Sequence, residues 1–352
     1  MGKYCSRIEV IELNKLLLKL KLITAIFSSV PSQVYCYRSR RMQKMLRESD
    51  RLMQYDAIHV VCGRLAEYAT DLRLKDSPVL LDWIDALSLN TRRHSLKERF
   101  WPKKVLYHWE GRKMRLFEHH HVGVCDYAIV TSPLDQEVLG KSRVETLPNG
   151  VDCECFAPRN VKKDIDLIFT GNMSYEPNIQ AVDLFCKEIL PCVQRRLSNV
   201  SFYVVGINPP QAVLKWSREP GIHVTGFVED LANMLNRSRL FVAPMCSGSG
   251  IQNKILEALA TGLPVLTTRY GNAALGGNVR SGVIELNTPA EFAQEIVSLL
   301  HDESRRSNLG RLGREMALRR FRWDSVVRRL EAIYVEISRS EVRGDGYLVA
   351  SR

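Results

Sequence analysis

Several features that would place this chain in a membrane or outside the cell are scarce in its sequence. No apolar run reaches the ~20 residues that a membrane-spanning helix needs. The start lacks a basic segment followed by an uninterrupted apolar core, so we expect no secretory signal peptide. The 9 cysteines are odd in number and form no C-x-x-C pair, which favours free thiols in a reducing compartment. We therefore expect a cytoplasmic protein.

Internal repeats and low-complexity tracts are also missing, whereas positive charge is abundant. With 352 residues and 45% hydrophobic content, the chain can bury about two domain cores. The net charge is +11, and residues 1–150 carry 25 Lys and Arg against 17 Asp and Glu. This excess favours an anionic partner such as a phospholipid surface or a lipid-linked phosphate, but a solvated face without a partner fits equally well. No recognition helix or aromatic platform accompanies it, so we expect no nucleic-acid partner.

The segment LNKLLLKLKLITAIF, residues 13–27, predicts a basic amphipathic helix. Such a helix can lie on a membrane surface or pack its apolar side on a core. The core-facing interpretation is favoured. The alternative adds contact with an anionic membrane and a peripheral position at the inner face of the cell membrane.

Apolar strand patterns alternate with helical patterns almost throughout, which is typical of an α/β fold with parallel sheets. The predicted strands are Ile8–Leu13, Ala57–Cys62, Val79–Ile84, Tyr127–Thr131, Val144–Leu147, Asp166–Thr170, Ser201–Val205, His223–Thr225, Leu240–Ala243 and Pro264–Thr267. Residues 87–122 predict a long helical stretch with a break near Pro102.

The most informative stretch runs from Pro244 to Pro264, PMCSGSGIQNKILEALATGLP. A Ser/Gly turn follows a strand and leads into a helix that stops at a glycine, and the unpaired amides of such a helix start can bind phosphate. The spacing of Gly250, Lys254 and Glu257 predicts one shared helix face. Amides, then an ammonium, then a carboxylate match the phosphates and ribose hydroxyls of a nucleotide sugar. An ordinary loop followed by a solvated ion pair is the alternative.

Five further segments accompany this stretch: LDWIDALSLN (81–90), LPNGVDCECF (147–156), IFTGNMSYEPN (168–178), HVTGFVEDL (223–231) and FRWDSVVRRLEAIY (321–334). Together they resemble the GT-B-fold glycosyltransferases of the family-4 type, and most of all the sugar transferases associated with exosortase and exopolysaccharide loci. The resemblance implies two Rossmann-like domains whose parallel sheets face a cleft. It implies an acceptor-side domain over 1–148, a linker over 149–164, a nucleotide-sugar-binding domain over 165–320, a helix crossing back over 321–338 and a tail over 339–352.

The resemblance also implies roles for individual residues. Amides of Gly250 and Ile251 would meet the diphosphate, Lys254 would pair with it, and Glu257 would hold the ribose. The turn from Gly226 would line the base with backbone groups. The donor-binding residues expected are Gly171, Asn172, Gly226, Phe227, Val228, Gly248, Ser249, Gly250, Ile251, Gln252, Lys254 and Glu257.

Three departures from the family pattern matter. Ser249 stands where many relatives have a glutamate that touches the sugar, and Asn172 and Pro177 stand where relatives place Arg and Lys. Lys254 is then the main counter-charge expected to act in catalysis. Asp85 is the candidate for acceptor contact or proton handling, with a helix cap as the alternative. The third departure is the start of the chain, which resembles a later strand of the first domain, so one βαβ unit is expected to be missing.

The implied activity is transfer of a hexosyl group from a nucleoside-diphosphate sugar to a hydroxyl of a glycan or lipid-linked acceptor. Exopolysaccharide or cell-surface polysaccharide synthesis, retention of configuration, and independence from metals and other cofactors are implied with it. Asp164-Ile-Asp166 and His119–His121 are therefore not expected to bind a metal. A catalytically impaired relative that only binds nucleotides, and a nucleotide-sugar epimerase, remain as alternatives. The sequence does not specify the donor base, sugar or acceptor.

Overall fold

The computed structural model describes residues 3–53, 55–70, 77–140, 144–247, 250–275 and 282–339. The chain divides into two compact units. The first comprises Met1–Thr131, Asp135–Thr146 and Glu331–Arg352, and the second comprises Ser132–Leu134 and Leu147–Leu330. Each unit is built around a parallel sheet accompanied by helices, so the predicted α/β class is confirmed.

The first half of the chain supplies a four-stranded sheet of order β1-β2-β3-β4. Its strands are β1 (Ile58–Val61), β2 (Val79–Asp82), β3 (Tyr127–Val130) and β4 (Val144–Thr146). The helices are α1 (Lys15–Ala25), α2 (Ser32–Tyr35), α3 (Arg40–Leu52), α4 (Ala66–Thr70), α5 (Leu87–Lys97), α6 (Trp101–Val124) and α7 (Pro133–Leu139). All neighbouring strands are parallel. These strands confirm four of the predictions, and the interruption between α5 and α6 confirms the predicted break.

The predicted strand Ile8–Leu13 is wrong. This segment has no regular secondary structure and pairs with no strand in the described part of the chain. Val10 is 72% exposed. Alternation of polar and apolar residues is a local pattern, whereas a strand also needs a neighbouring edge for its backbone hydrogen bonds.

The basic amphipathic helix is present as α1, but its predicted packing on the core is wrong. Asn14 caps it by accepting from the amides of Leu16 and Leu17. Ala25 is fully buried, whereas most of the leucine and isoleucine side chains of α1 are exposed. The apolar side of α1 therefore faces outward in this unit. No helix among the described residues is long and apolar enough to cross a bilayer.

The second half of the chain forms a six-stranded sheet of order β10-β9-β8-β5-β6-β7. Its strands are β5 (Ile165–Thr170), β6 (Phe202–Val205), β7 (Ile222–Gly226), β8 (Ser238–Ala243), β9 (Val265–Thr267) and β10 (Val283–Glu285). The helices are α8 (Glu176–Leu184), α9 (Leu190–Gln194), α10 (Gln211–Leu214), α11 (Leu231–Arg237), α12 (Asn253–Ala260), α13 (Arg269–Asn272), α14 (Pro289–His301), α15 (Glu303–Arg320) and α16 (Trp323–Arg339). All five predicted strands are confirmed, and β10 is an addition.

The core of the second unit lies along both faces of this sheet. Strands β5 and β8 are central and read as near-continuous apolar runs, as expected for parallel strands covered on both sides. Phe169 and Phe241 on these strands stack with ring centroids 6.4 Å apart. Because all strands are parallel, their carboxyl ends meet at one edge, which is where open α/β sheets bind ligands.

Candidate functional site

Glycine turns close the carboxyl edge of the second sheet. Gly171 follows β5 with φ +154°, and Gly206 follows β6 with φ +153°. A Cβ on Gly206 would lie 1.7 Å from the carbonyl oxygen of Gly171, so only glycine lets these two turns approach. The Gly171 amide donates to Val205 over 3.0 Å, and the Gly206 amide donates to Gly226 over 2.9 Å. The ends of β5, β6 and β7 are therefore held together at one place.

Lys254 reaches this edge from the first turn of α12. Its ammonium donates to Asn178 Oδ1 over 2.5 Å and lies 5.0 Å from the centroid of the Phe169 ring. Burial lowers the pKa of Lys254 to about 8, and the charge of Glu257 opposes this shift. A cation in such a half-buried position gains most from an anionic ligand, because low-dielectric surroundings strengthen charge pairing.

Glu257 lies three residues further along α12, so the two side chains share a helix face. Burial raises the pKa of the Glu257 carboxyl, and Lys254 opposes the shift. Within the described residues, no hydrogen-bond donor to this carboxylate is found. A half-buried carboxylate without a donor is suited to accept hydrogen bonds from the hydroxyls of a ligand.

Asn178 is a site residue that the sequence predictions missed. It is 3% exposed, accepts from Lys254, and donates through Nδ2 to the Asn172 carbonyl over 2.8 Å. Asn178 stands in line with the buried residues Ala181, Val182 and Phe185. A polar residue at the first position of an otherwise apolar helix stripe was the signal in the sequence that could have found it.

The turn before α12 departs from the predicted geometry. Gly250 has φ +66° and precedes the helix, which begins at Asn253, so the predicted helix face shared by Gly250, Lys254 and Glu257 is wrong for the glycine. The left-handed conformation of Gly250 is incompatible with a right-handed helix, so α12 begins only after this turn. Gln252 is the N-cap and its side chain makes no capping bond. Gly248 and Ser249 lie outside the described residues.

The remaining donor-binding predictions occupy the same edge with different exposure. Ile251 is buried, Gly226 has φ +71°, and Phe227 is 71% exposed. Val228 packs partly on the core. Asn172 uses its side chain locally, accepting from the amide and hydroxyl of Ser174, so its carbonyl is the group directed toward Asn178. The structure therefore brings Gly171, Asn172 and Lys254 together around Asn178, and Glu257 interacts with Lys254 on the same helix.

Asp85 belongs to the first unit, at the carboxyl edge of its sheet. It follows Ile84, which has φ +63°, a conformation that is unusual for a β-branched residue and marks stored backbone strain. Asn90 donates to Asp85 over 3.5 Å. Asp82 is close by in sequence, and burial raises the pKa of its carboxyl. A role for Asp85 in acceptor contact or proton handling stays a prediction.

The two motifs with the spelling of metal sites, Asp164-Ile-Asp166 and His119–His121, contain residues that form other interactions. Asp164 pairs with Arg237 at 2.8 Å and Asp166 pairs with Arg239 at 2.9 Å. His121 hydrogen-bonds Thr70 over 2.6 Å. Among the described residues, no group of three His, Cys, Asp or Glu side chains could hold a metal ion.

Comparison with known proteins starts from residues 164–302, which match the family model described as "Glycosyl transferases group 1". The chain is 24% identical over 284 residues to the UDP-Gal:alpha-D-GlcNAc-diphosphoundecaprenol alpha-1,3-galactosyltransferase of Escherichia coli, covering 71% of this chain and 67% of that protein. It is 26% identical over 210 residues to the GDP-mannose-dependent alpha-(1-6)-phosphatidylinositol monomannoside mannosyltransferase of Mycobacterium tuberculosis, covering 53% of this chain and 54% of that protein.

Two solved structures have a similar fold. Sucrose-phosphate synthase from Thermosynechococcus elongatus superimposes with a TM-score of 0.66 at 15% identity, covering 85% of this chain and 80% of its own. HepE from Anabaena in complex with UDP-glucose superimposes with a TM-score of 0.63 at 14% identity, covering 84% of this chain and 82% of its own. These two structural similarities concern the fold. The match to the family model over residues 164–302 covers the part of the second unit that contains Lys254 and Glu257.

Proposed function

We propose that this chain, which has the GT-B fold and matches a group 1 glycosyltransferase family model over residues 164–302, is a glycosyltransferase that moves a hexosyl group from a nucleoside-diphosphate sugar to a hydroxyl acceptor. The acceptor is a glycan or a lipid-linked glycan. The biological role is exopolysaccharide or cell-surface polysaccharide synthesis in the cytoplasm, with retention of anomeric configuration. The proposed reaction uses no metal or other cofactor.

The observation that carries the proposal is the arrangement of Lys254, Asn178 and Glu257 around the turn at Gly171. The diphosphate lies against the ammonium of Lys254 and the amides at the start of α12, where the helix dipole favours negative charge. The ribose hydroxyls donate to Glu257. The turn at Gly226 then offers backbone groups to the base. One edge of one sheet holds all three parts of the nucleoside diphosphate.

Lys254 has a catalytic task beyond binding, because the bond to the sugar breaks toward the diphosphate. Negative charge grows on the leaving diphosphate in the transition state, and a cation already fixed by Asn178 stabilises it without reorganising. Loss of one such preorganised donor typically costs about 10²–10³ in turnover. Asp85 is proposed to contact the acceptor or handle its proton.

The names of two relatives support this choice of donor and acceptor. The Escherichia coli relative is named for a UDP-sugar donor and a diphosphoundecaprenol-linked acceptor. The Mycobacterium tuberculosis relative is named for a GDP-sugar and a phosphatidylinositol glycoside. Both donors are nucleoside-diphosphate sugars and both acceptors are lipid-linked, whereas the bases differ. The base is therefore left to the experiment below.

The outward-facing side of α1 supports a peripheral membrane position. Leu16 and Ile23 are 68% and 62% exposed, and Lys19 is exposed on the same helix. Phe27, two residues after the helix ends, is 89% exposed. Exposed apolar residues interleaved with lysine are typical of helices that lie in the interface of an anionic bilayer. A lipid-linked acceptor would be met at that surface.

Transfer assays test the proposed reaction. Purified protein is incubated with radiolabelled UDP-glucose, UDP-galactose, UDP-N-acetylglucosamine or GDP-mannose and a short polyprenyl-diphosphate sugar acceptor. We expect label in the lipid fraction with one donor and a loss of about 10²-fold or more in Lys254→Ala. NMR of the product reports the anomeric configuration. Donor binding without transfer to any acceptor offered, or a 4-epimer of the sugar as the product, would contradict the proposal.

Vesicle co-sedimentation tests the membrane contact. The double variant Leu16→Ser/Ile23→Ser changes two exposed apolar residues of α1, and Val327→Ser, 43% exposed in the second unit, is the matched control. We expect the double variant alone to lose binding to vesicles that contain phosphatidylglycerol. Equal binding of all three proteins would remove the support that α1 gives to this position.

A further inference from the structure

A second concave surface lies in the second unit at the sheet edge opposite the donor site. Its lining includes Lys163, which lies just before β5, Arg239, which is the second residue of β8, and Pro264, which lies just before β9. These are the amino ends of parallel strands, whereas Gly171 and Gly226 lie at their carboxyl ends. The cavity has a volume of about 490 Å³. It is therefore separate from the site proposed to hold the nucleotide sugar.

Cations dominate the lining of this cavity. The carboxylates are Glu303 and Glu315. The cations are Arg159, Lys163, Arg239, Arg306, Arg311 and Arg314. Such an excess within one concave surface raises the local concentration of anions.

Half of these cations already have a carboxylate partner. Arg159 pairs with Asp230 at 2.6 Å. Arg239 pairs with Asp166 at 2.9 Å, and Arg311 pairs with Glu315 at 2.6 Å. Ion pairs of this kind largely cancel their own charge, so they do not account for an attraction to a ligand.

The other three cations are held by backbone carbonyls. The Lys163 ammonium donates to the Ser238 carbonyl over 2.9 Å. Arg306 donates to the carbonyls near the end of α14, including Leu300 over 2.8 Å. Arg314 donates to the Phe156 carbonyl over 3.1 Å and also to Ala260. Within the described residues, none of the three forms an ion pair with a carboxylate.

Burial and neighbouring positive charge both disfavour the protonated forms of Lys163 and Arg306. Burial and the charge of Arg306 lower the pKa of Lys163. Burial and the charge of Arg239 lower the pKa of Arg306, while Glu303, Asp302 and Asp166 oppose the shift. An anion bound between Lys163 and Arg306 would relieve this repulsion and add charge-assisted hydrogen bonds.

We propose that this cavity binds a small phosphorylated molecule through Lys163, Arg306 and Arg314. Phosphate suits the set because guanidinium groups bind its oxygens in pairs and an ammonium adds a point charge. The cavity is concave and has a volume of about 490 Å³, which is within the range of sites that bind small soluble molecules. The site is independent of the donor site and of the proposed transfer reaction.

The experiment uses pyrophosphate as the probe and a Lys254→Ala background, which separates this cavity from the donor site. Isothermal titration of Lys254→Ala with pyrophosphate should give one binding event per chain. Adding Lys163→Gln, or separately Arg306→Gln, should weaken it at least tenfold. Adding Lys162→Gln is the matched control, because Lys162 is adjacent to Lys163 and exposed like it, but lies outside the lining.

Three outcomes would overturn the inference. The first is no binding of pyrophosphate by folded Lys254→Ala protein. The second is affinity that is unchanged by both Lys163→Gln and Arg306→Gln. The third is an equal loss with Lys162→Gln, since that would mean attraction to surface charge in general. Circular dichroism of each variant confirms that the comparison is between folded proteins, and Lys163→Gln keeps the test available if Arg306→Gln fails to fold.

Discussion

Replacing Gly171 by alanine tests the geometry of the donor site directly. An added Cβ would lie 2.7 Å from Asn178 Nδ2 and 3.5 Å from Lys254 Cε, at φ +154°. Asn178 cannot move far, because it is 3% exposed and donates to the Asn172 carbonyl. The added methyl group should therefore disturb the hydrogen bond by which the Asn178 side chain positions the Lys254 ammonium. An alanine in this backbone conformation also costs about 1–3 kcal/mol of strain.

The size of the effect on binding follows from the hydrogen bond that is lost. A hydrogen bond to a charged group contributes about 1.5–3 kcal/mol, and about 1.4 kcal/mol corresponds to a factor of ten in affinity. Gly171→Ala should thus weaken nucleoside-diphosphate binding by about 10- to 100-fold, measured by isothermal titration calorimetry. The free energy of unfolding in urea should fall as well.

Gly140→Ala is the matched control for this prediction. Gly140 has φ +122°, and a Cβ there would meet nothing within 4 Å. It shares the backbone strain without the contact to Asn178 or Lys254, so it should lower stability and leave nucleotide affinity unchanged. Wild-type affinity in a folded Gly171→Ala protein would refute the reasoning.

Three more predictions come from buried ionisable and polar groups. Asn178→Leu should lower the free energy of unfolding by about 1–3 kcal/mol in urea titrations, because the buried Lys254 ammonium loses its acceptor; a neutral effect would contradict this. Nucleotide affinity should fall as pH rises above about 8, since the pKa of free Lys254 is lowered to about 8 and the bound diphosphate favours the protonated form; calorimetry from pH 7 to 9.5 should show the fall in the wild type and not in Lys254→Arg. Burial raises the pKa of Glu118 to about 7, so the folded state binds the extra proton and this group's contribution to stability should decrease between about pH 4.5 and 7; Glu118→Gln should flatten that part of the urea-derived stability profile, and an unchanged slope would count against it.

The central strands of the second sheet could be predicted from sequence because they are covered on both faces. Strands β5 and β8 therefore read as near-continuous apolar runs, which are typical of parallel strands covered on both faces. Strand β10 was missed; it is a three-residue edge strand whose last residue, Glu285, is exposed. The prediction for Ile8–Leu13 was wrong because the alternation of polar and apolar residues is clear there, but no strand in the described ranges pairs with the segment.

The candidate site divides in a similar way between local and tertiary information. Lys254 and Glu257 could be found because their spacing on one helix is local, whereas Gly171 was assigned from the family resemblance. Asn178 was missed: its position on an apolar helix stripe is a local signal, but its contacts with Asn172 and Lys254 exist only once α8 and α12 pack on the same sheet edge. The sequence also placed Gly250 on the helix, whereas α12 begins at Asn253. A left-handed turn and the first turn of a helix have similar sequences, so this boundary could not be assigned.

The measurement that tests the central claim most directly is a calorimetric titration with UDP, GDP, ADP and TDP. The proteins are the wild type, Lys254→Ala, Glu257→Ala and the exposed control Lys162→Ala. The account predicts that one nucleotide binds the wild type and the control equally, and that Lys254→Ala and Glu257→Ala each weaken that binding at least tenfold. Absence of binding by any nucleotide to the folded wild type, or wild-type affinity in Lys254→Ala, would contradict a donor site at this sheet edge.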